Sequence, residues 1–390
     1  MQENNFLPVN WIDGMKINKS HFMAEENALV YQLAQNTSCL LNELNYGLLP
    51  VFTGGAGLKL FISTDNQRKL QVRVQQCRAI TAGGYYIEFN EDTLIQGAVL
   101  STPVVSAPAT LSDLRKKSSE FYIVLTINPY KRLPHGLVDV DEIPPRLPFT
   151  VPSISVDLIP VEEVARNILG GYQLPVGKMS IEEQRVFLEE DYIPPCASII
   201  SHPELLEIHA GLEQFYGKME TYSLQIMQKI IQKKQSNEMA VIVQKLCENI
   251  INFTASQLAE LKSAGAIFQP ISMIIKISSL SRVLKNTMDC YLGAGKEELI
   301  NYFTEWCSVS QGELERIIIA LANHQYDHLD INNSMEKVTE FTKIWSGLFY
   351  RLARLEYIGK RKEAGIFVKE EIVKQGSDTP GPKRRSFLAD

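Results

Sequence analysis

The residues best placed to do chemistry are two histidines, His324 and His328. They stand four positions apart, a spacing that puts two imidazoles on one face of a helix and can bind zinc. Asp327 and Asp330 lie beside them as further candidate ligands. A zinc site needs several oriented ligands, however, and this segment falls where a helical pattern gives way to a loop. The sequence therefore predicts surface residues here and no metal.

A second candidate is the glycine-rich stretch Gly293-Ala294-Gly295-Lys296-Glu297, which superficially resembles a phosphate-binding loop. That loop needs an earlier glycine, where Cys290 stands, and a serine or threonine after the lysine, where Glu297 stands. A turn that ends a helix explains the stretch better. No Gly-x-Ser-x-Gly stretch occurs either. We therefore expect no catalytic residue, no cofactor and no small-molecule substrate, and we do not expect an enzyme.

Composition and cysteine usage indicate a cytoplasmic protein. The net charge of -6 argues against nucleic acid as the main partner. No basic and apolar leader opens the chain, and no run of 18 apolar residues occurs, so neither a signal peptide nor a membrane-spanning helix is expected. None of the cysteines forms a Cys-x-x-Cys pair, which favours reduced and mostly buried thiols. The six are Cys39, Cys77, Cys196, Cys247, Cys290 and Cys307.

The elements that would position any site fall into a β-rich first half. With 390 residues and 45% apolar content, the chain is long enough for two or three packed domains. Five short segments read as strands: 58–62, 70–74, 85–89, 121–127 and 154–158. Turns between strands favour a β-sandwich or barrel over a doubly wound fold. The proline-rich stretch 133–148 predicts a long loop, either a structural crossover or, less favoured, a subunit contact.

The second half is helical. Glycines and prolines punctuate 170–203, which predicts a neck with one short helix capped by Ser180. A heptad seam follows, whose register fits packing within the chain or between copies. The seam is Leu205, Ile208, Leu212, Phe215, Met219, Tyr222 and Ile226. Four more helices are predicted, including a continuous one from Lys296 to His324 and one capped by Asn332-Asn333-Ser334, and together they predict an antiparallel bundle.

These patterns predict five parts. They are an N-terminal arm (1–22), the first helix plus the β-sandwich (23–169), the neck linker (170–203), the helical bundle (204–358) and a basic flexible tail (359–390). The tail carries eight basic and five acidic residues, a net charge of 8 - 5 = +3. A solvated tail is favoured over one that touches anionic lipid or an acidic partner. The alternative is that residues 383–388 form a short docking motif.

The most distinctive stretch of the chain lies in the predicted arm. Trp11-Ile12-Asp13-Gly14-Met15 is followed by Ile17, by His21-Phe22 and by a helix that is predicted to run to about Glu43. That helix carries leucines at helix-compatible spacing, namely Leu29, Leu33, Leu40 and Leu44. A tryptophan here can fill the domain's own core, and an Asp-Gly pair can simply form a turn. The order and the context of the motif favour a functional role.

This pattern resembles the N-terminus of the TssK family, the trimeric baseplate subunits of bacterial type VI secretion systems. In that family a Trp-x-Glu-Gly-Met-x-Leu stretch leads to Pro-x-His-Phe-Gln and a helix. Five residues match as they stand: Trp11, Gly14, Met15, His21 and Phe22. Asp13 and Ile17 are conservative replacements, whereas Lys19 and Met23 depart from the usual Pro and Gln.

The resemblance implies a structural protein with an N-terminal β-sandwich, called the shoulder, and a helical stalk. It implies a homotrimer whose arm joins the wedge subunits TssF and TssG, and the seam of the predicted bundle offers a route to that trimer. The partner interface would comprise Phe6, Leu7, Trp11, Asp13, Gly14, Met15 and Ile17. His21 and Phe22 would fix the arm to its own first helix.

The resemblance also implies a location, the cytoplasmic face of the inner membrane. Family members usually carry a C-terminal head that docks onto the membrane complex. The segment after the last predicted helix is too short for such a domain. We therefore expect either docking to a membrane-complex or other protein through a different C-terminal element, or a lineage that lacks that membrane complex. Two alternatives stay open: a receptor-binding or baseplate protein of a related phage-like particle, and an enzyme with a helical oligomerisation domain.

Overall fold

The computed structural model describes residues 6–51, 57–64, 70–90, 111–166, 169–182, 185–307 and 309–359. Two four-stranded antiparallel sheets form the first half, and helices form the second. The predicted order, a β-sandwich followed by a helical bundle, is therefore confirmed. The basic tail lies outside the described residues.

The first sheet is built around one long strand. It contains β1 (Gly47–Leu48), β2 (Leu58–Thr64), β3 (Leu70–Ile80) and β4 (Tyr86–Asn90), and β3 pairs with the other three. In β3, Val72 and Val74 are fully buried while Gln71 and Arg73 between them are exposed. This alternation is the period-two pattern of a strand with one buried face.

The second sheet has the order β6-β5-β7-β8. Its strands are β5 (Glu120–His135), β6 (Phe149–Pro160), β7 (Gln173–Glu182) and β8 (Arg185–Leu188), and α2 (Leu111–Lys117) precedes them. In β5, Phe121, Ile123 and Leu125 share a core with the first sheet. Tyr122 and Val124 on the other face pack under Val164 of α3 (Val161–Arg166). The predicted central strand at 121–127 is thus confirmed.

The predicted neck differs from the structure because β7 and β8 lie inside residues 170–203. Ser180 sits within β7, opposite Glu120, so the short helix predicted to begin there is wrong. The neighbours Met179 and Ile181 are buried, which is strand periodicity. Without this segment one edge of β5 would have no partner. Pairing with β5 gives the segment a ladder of backbone hydrogen bonds, which stabilises it more than a single helix cap would.

Six helices form the bundle. They are α4 (Pro203–Gln232), α5 (Glu238–Ala264), α6 (Ile271–Asp289), α7 (Lys296–Trp306), α8 (Gln311–Ala322) and α9 (Ile331–Arg354). Helices α4 and α5 run antiparallel, whereas α4 and α9 run in the same direction, with Phe215 beside Phe341 and Tyr222 beside Tyr350. The fully buried Trp345 lies at the centre of the α9 face.

The heptad seam of α4 packs inside this bundle. Its residues are buried within the chain, apart from Ile208 and Tyr222, which are half-buried. Phe215 contacts Phe341 of α9, and the neighbouring Tyr216 contacts Phe253 of α5. The seam's spacing therefore reflects packing among helices of one chain, and its assignment as a seam between copies is corrected.

Two predicted helix boundaries are also wrong. The continuous helix from Lys296 to His324 is broken into α7 and α8, because the side chain of Ser310 accepts a hydrogen bond from the Glu313 amide at 3.3 Å and starts a new helix. Helix α9 begins at Ile331, ahead of the predicted Asn-Asn-Ser cap. Ile331 is fully buried, so its packing sets that start.

Hydrogen bonds to backbone carbonyl groups join the β region to the bundle. The amide of Leu48 in β1 donates to the carbonyl of Pro195 at 2.7 Å, and a hydrogen bond joins Nε2 of His328 to the Tyr46 carbonyl at 3.0 Å. Gly47 between them has a φ of +113° and lies directly against Pro195. The junction therefore depends on a residue without a side chain.

Candidate protein interface on the N-terminal arm

The arm leads into helix α1 (Lys19–Ser38). Asn18 caps this helix, since its side chain accepts a hydrogen bond from the Ser20 amide at 2.9 Å. The helix ends at Ser38, short of the predicted Glu43. Asn42 and Asn45 hydrogen-bond the backbone of the following turn, and such local bonds compete with helix formation.

Helix α1 presents its small residues to the β region and its large ones to the surface. Ala28 and Ala34 are buried, and Arg132 of β5 binds the neighbouring Glu26 and Asn27, each at 2.8 Å. By contrast, three of the four leucines in the sequence pattern are exposed: Leu29 and Leu33 on α1, and Leu40 just beyond its end, whereas Leu44 is half-buried. The exposed fractions are 55% for Leu29, 57% for Leu33 and 79% for Leu40.

Phe6 and Val9 fix the first part of the arm to the rest of the chain. The ring of Phe6 stacks on Tyr130 of β5, with centroids 4.0 Å apart, and its edge meets Tyr31 of α1. The amide of Val9 donates to the carboxylate of Glu25 at 2.8 Å. Phe6 was predicted to join the partner surface, but the structure places it as an anchor on the domain.

A cluster of tyrosines supports the ring of Phe6. The hydroxyl of Tyr85 lies 3.3 Å from that of Tyr130 and 3.2 Å from that of Tyr172, and the Tyr85 and Tyr172 rings stack. Burial, together with the hydrogen bond to Tyr130, raises the pKa of Tyr85 to about 12. These phenols are therefore neutral at physiological pH, and they provide a fixed apolar floor for Phe6.

Beyond Val9 the arm turns and exposes its apolar side chains. The Met15 amide donates to the Ile12 carbonyl at 3.2 Å, and Gly14 supplies the positive φ of +79° that this turn needs. Trp11 lies against His21 and Phe22, with ring centroids 6.0 and 6.2 Å away. Trp11 remains 45% exposed and Phe22 61% exposed.

These side chains form one surface, which we name the arm patch. Its members are all exposed and apolar: Leu7, Trp11, Ile12, Ile17, Phe22 and Met23. His21 and Phe22, which were predicted to fix the arm, both lie against Trp11, but His21 is half-buried whereas Phe22 is largely exposed. Ile12 and Met23 were not predicted, and no spacing in the sequence distinguishes them. Several large apolar side chains exposed together on one short segment are typical of a protein interaction site.

The two histidines that were weighed as zinc ligands, His324 and His328, both form hydrogen bonds within the chain. In His324, Nε2 lies 2.8 Å from the Ser334 hydroxyl and Nδ1 accepts from Lys337 at 3.2 Å. His328 is buried, which corrects its placement on the surface, and its Nδ1 lies 2.9 Å from the Tyr326 hydroxyl. No group of three His, Cys, Asp or Glu side chains in the described ranges is arranged to hold a metal ion.

His202 is expected to make the stability of the fold depend on pH. Burial lowers its pKa from 6.5 to about 4, and its Nδ1 has no hydrogen-bond partner among the described residues. Between these values the unfolded chain binds the extra proton, so stability is lost as the pH falls from 6.5 towards 4. The free energy of unfolding should fall between pH 7 and pH 4.5, and we expect this fall to be about 2 kcal/mol smaller in His202→Asn. Urea unfolding at both pH values measures the difference. An unchanged slope in the variant would show that His202 is not the titrating group.

Similarity to known proteins is confined to solved structures. No protein-family profile and no curated protein matches the sequence. Among solved structures, a crystal structure of TssK aligns at 14% identity over 88% of this chain and 68% of its own, with a TM-score of 0.48.

Two further structures come from type VI secretion systems. One is TssK from EAEC in complex with a nanobody, at 11% identity over 84% of this chain and 99% of that one, with a TM-score of 0.43. The other is a TssK-TssF-TssG baseplate subcomplex determined by cryo-electron microscopy, at 11% identity over 90% of this chain and 100% of that one, with a TM-score of 0.44. Among the described residues, no helix combines the length and the apolar character needed to cross a membrane.

Proposed function

We propose that this chain is a structural baseplate subunit of the TssK type that binds the wedge subunits TssF and TssG through the arm patch. One observation carries the proposal: the residues of the TssK-like motif lie on an arm whose apolar side chains face away from the chain's own core. A tryptophan that only filled the core would be buried, whereas Trp11 is 45% exposed. The subunit acts by holding partners and performs no catalysis.

The structure of the arm suits this role. Phe6 and Val9 fix one end, and the capped start of α1 fixes the other, so the turn that carries Trp11 is held at both ends. A surface that is ordered before binding loses less conformational entropy when a partner docks. Leu29 and Leu33 are further exposed apolar side chains on the helix that follows the arm.

The experiment is co-purification with the TssF and TssG proteins of the same organism. Tagged TssF should retain this chain at a fixed stoichiometry through size-exclusion chromatography. A chain that is folded by circular dichroism yet elutes separately from TssF and TssG would contradict the proposal. We also propose that the complex lies at the cytoplasmic face of the inner membrane and that another docking protein binds the C-terminal end.

We further propose that three copies associate through the hairpin of β5 and β6. Among the described residues, β7 pairs with β5 only as far as Thr126, so residues 128–135 and 149–152 continue as a two-stranded ribbon. Such a ribbon is marginally stable on its own. Its tip is apolar, with Leu137 51%, Val140 76% and Phe149 67% exposed. A contact from this tip to the next copy can close a ring of three.

Charges on the hairpin tip should weaken this association. Leu137→Glu with Val140→Glu is expected to raise the concentration at which trimers dissociate by at least about tenfold, since desolvating a charge opposes a buried contact. Light scattering should give three times 44.0 kDa for the parent and a lower mass for the variant at micromolar concentration. Ile275→Glu, at a 58% exposed site on α6, is the control. Equal masses for all three proteins would exclude the hairpin as the contact.

A further inference from the structure

A groove runs between α4 and α9 near the start of the bundle. Its volume is about 380 Å³, and it lies between Ile208 and Leu212 on one side and Val338 on the other. Gly211 opens the α4 side, because no atom lies within 4 Å of where its Cβ would stand. The groove therefore admits one or two apolar side chains from outside.

The rim of this groove is acidic. Glu204 and Glu207 line it, and Asp191 lies near enough to act on Glu204. Burial and these two like charges raise the pKa of Glu204. Within the described part of the chain, none of the three carboxylates forms an ion pair with a lysine or arginine. A cationic ligand would relieve this repulsion, and an apolar one would fill the groove.

Residues 383–388 have both properties, whereas the similar run 360–368 follows Ile358 too closely to reach the groove. Residues 383–388 read Lys-Arg-Arg-Ser-Phe-Leu, three cations followed closely by two large apolar side chains. The exposed basic run at Arg115, Lys116 and Lys117 does not offer the same combination, because it sits on α2, where Lys116 already pairs with Asp113. Charge and apolar character therefore both favour residues 383–388 as the occupant.

The length of the chain beyond α9 permits this contact. The last described residues lie at the far end of the bundle, where the Ile358 amide donates to the Gln235 side chain just after α4. From there to Ile208 the path along α4 is about 40 Å, at 1.5 Å per residue. The 23 residues from 360 to 382 can extend to about 75 Å. The segment can therefore reach the groove of its own chain.

We propose that residues 383–388 bind in the groove between α4 and α9, with Phe387 and Leu388 against Ile208 and Val338 and the three cations beside Glu204 and Glu207. This contact is independent of the arm and of its wedge partners. A tail held there is withdrawn from any anionic surface outside. The groove and an acidic partner or lipid therefore compete for the same six residues.

Photo-crosslinking in the full chain tests the proposal. With p-benzoylphenylalanine in place of Phe387, irradiation should join residue 387 to peptides that contain 203–212 or 335–342, identified by mass spectrometry. Replacing Glu204 and Glu207 by glutamine should lower the crosslink yield about fivefold, because two exposed ion pairs are lost. E297Q with E298Q, in the first turn of α7, is the matched control and should leave the yield unchanged.

The outcomes are distinct. Unfolding temperature and mass, measured on each variant, separate loss of the contact from loss of the fold. Crosslinks to other surfaces, or a yield that is equal in both glutamine pairs, would overturn the proposal. A mixture of isotopically light and heavy chains shows whether the contact is internal. Crosslinks between light and heavy chains would assign the groove to a neighbouring copy and overturn the contact within one chain.

Discussion

Trp11→Ala is expected to weaken the binding of TssF and TssG by about 2 kcal/mol, or roughly 30-fold in Kd, and to leave the fold intact. The indole is 45% exposed and lies against the rings of His21 and Phe22, so its loss should change the free energy of unfolding by no more than about 1 kcal/mol. In a complex, however, its exposed part would be buried at the centre of the arm patch. Titration calorimetry with purified TssF and TssG, beside urea unfolding, measures both quantities.

Phe6→Ala is the informative companion variant. Phe6 stacks on Tyr130 and does not belong to the arm patch, so its loss should release the start of the arm and weaken binding indirectly. Ile267→Ala, at a 68% exposed site on the bundle, serves as the neutral control. If Trp11→Ala instead unfolds the β region, Trp11 is part of the core and the interface assignment is wrong.

The sequence was informative wherever one physical preference dominated. The alternation in β3 predicted a strand with one buried face, and the continuous apolar run in β5 predicted a strand buried on both faces. Heptad spacing likewise predicted α4 and α9. It could not show which neighbour the seam would meet, since a buried stripe has the same spacing whether it packs within a chain or between chains.

The neck was mispredicted because local and nonlocal preferences conflict there. Ser180 followed by Glu182 is a helix-start signal. In the fold, however, this segment pairs with β5, where Ser180 lies opposite Glu120, a residue 60 positions away in the sequence. No local pattern reveals that pairing. The same limit explains the break between α7 and α8, where the Ser310 cap competes with a continuous apolar pattern.

The arm could be located from the sequence, but the roles of its residues could not be fully assigned. Trp11, Gly14 and Ile17 were predicted at an interface and lie on the exposed surface. Phe6 was predicted at the interface but packs on its own domain, because a tyrosine cluster assembled from three separate segments of the β region receives it. Exposure of the leucines on α1 was equally hard to predict, since the helix uses alanines for its inner face and leaves its larger residues outside.

Gly47→Ala is expected to be the most destabilising small substitution at the junction, lowering the free energy of unfolding by about 3 kcal/mol or more. Gly47 has a φ of +113°, which a residue with a Cβ adopts only under strain. The added Cβ would also lie 2.0 Å from the carbonyl oxygen of Pro195, a backbone atom that cannot rotate away. Relief requires separating β1 from the segment that leads into α4.

Gly293→Ala isolates the two causes. Gly293 also has a positive φ, of +74°, but no atom lies within 4 Å of its hypothetical Cβ, so only the backbone strain of about 1–2 kcal/mol is expected. The difference between the variants, measured by urea unfolding, therefore reports the clash with Pro195. The clash pushes the β region away from the bundle, whereas the arm stays attached to β5. Gly47→Ala should therefore destabilise the packing of the bundle more than it changes the arm patch. Equal destabilisation by both variants would show that the two regions are not held together through this contact.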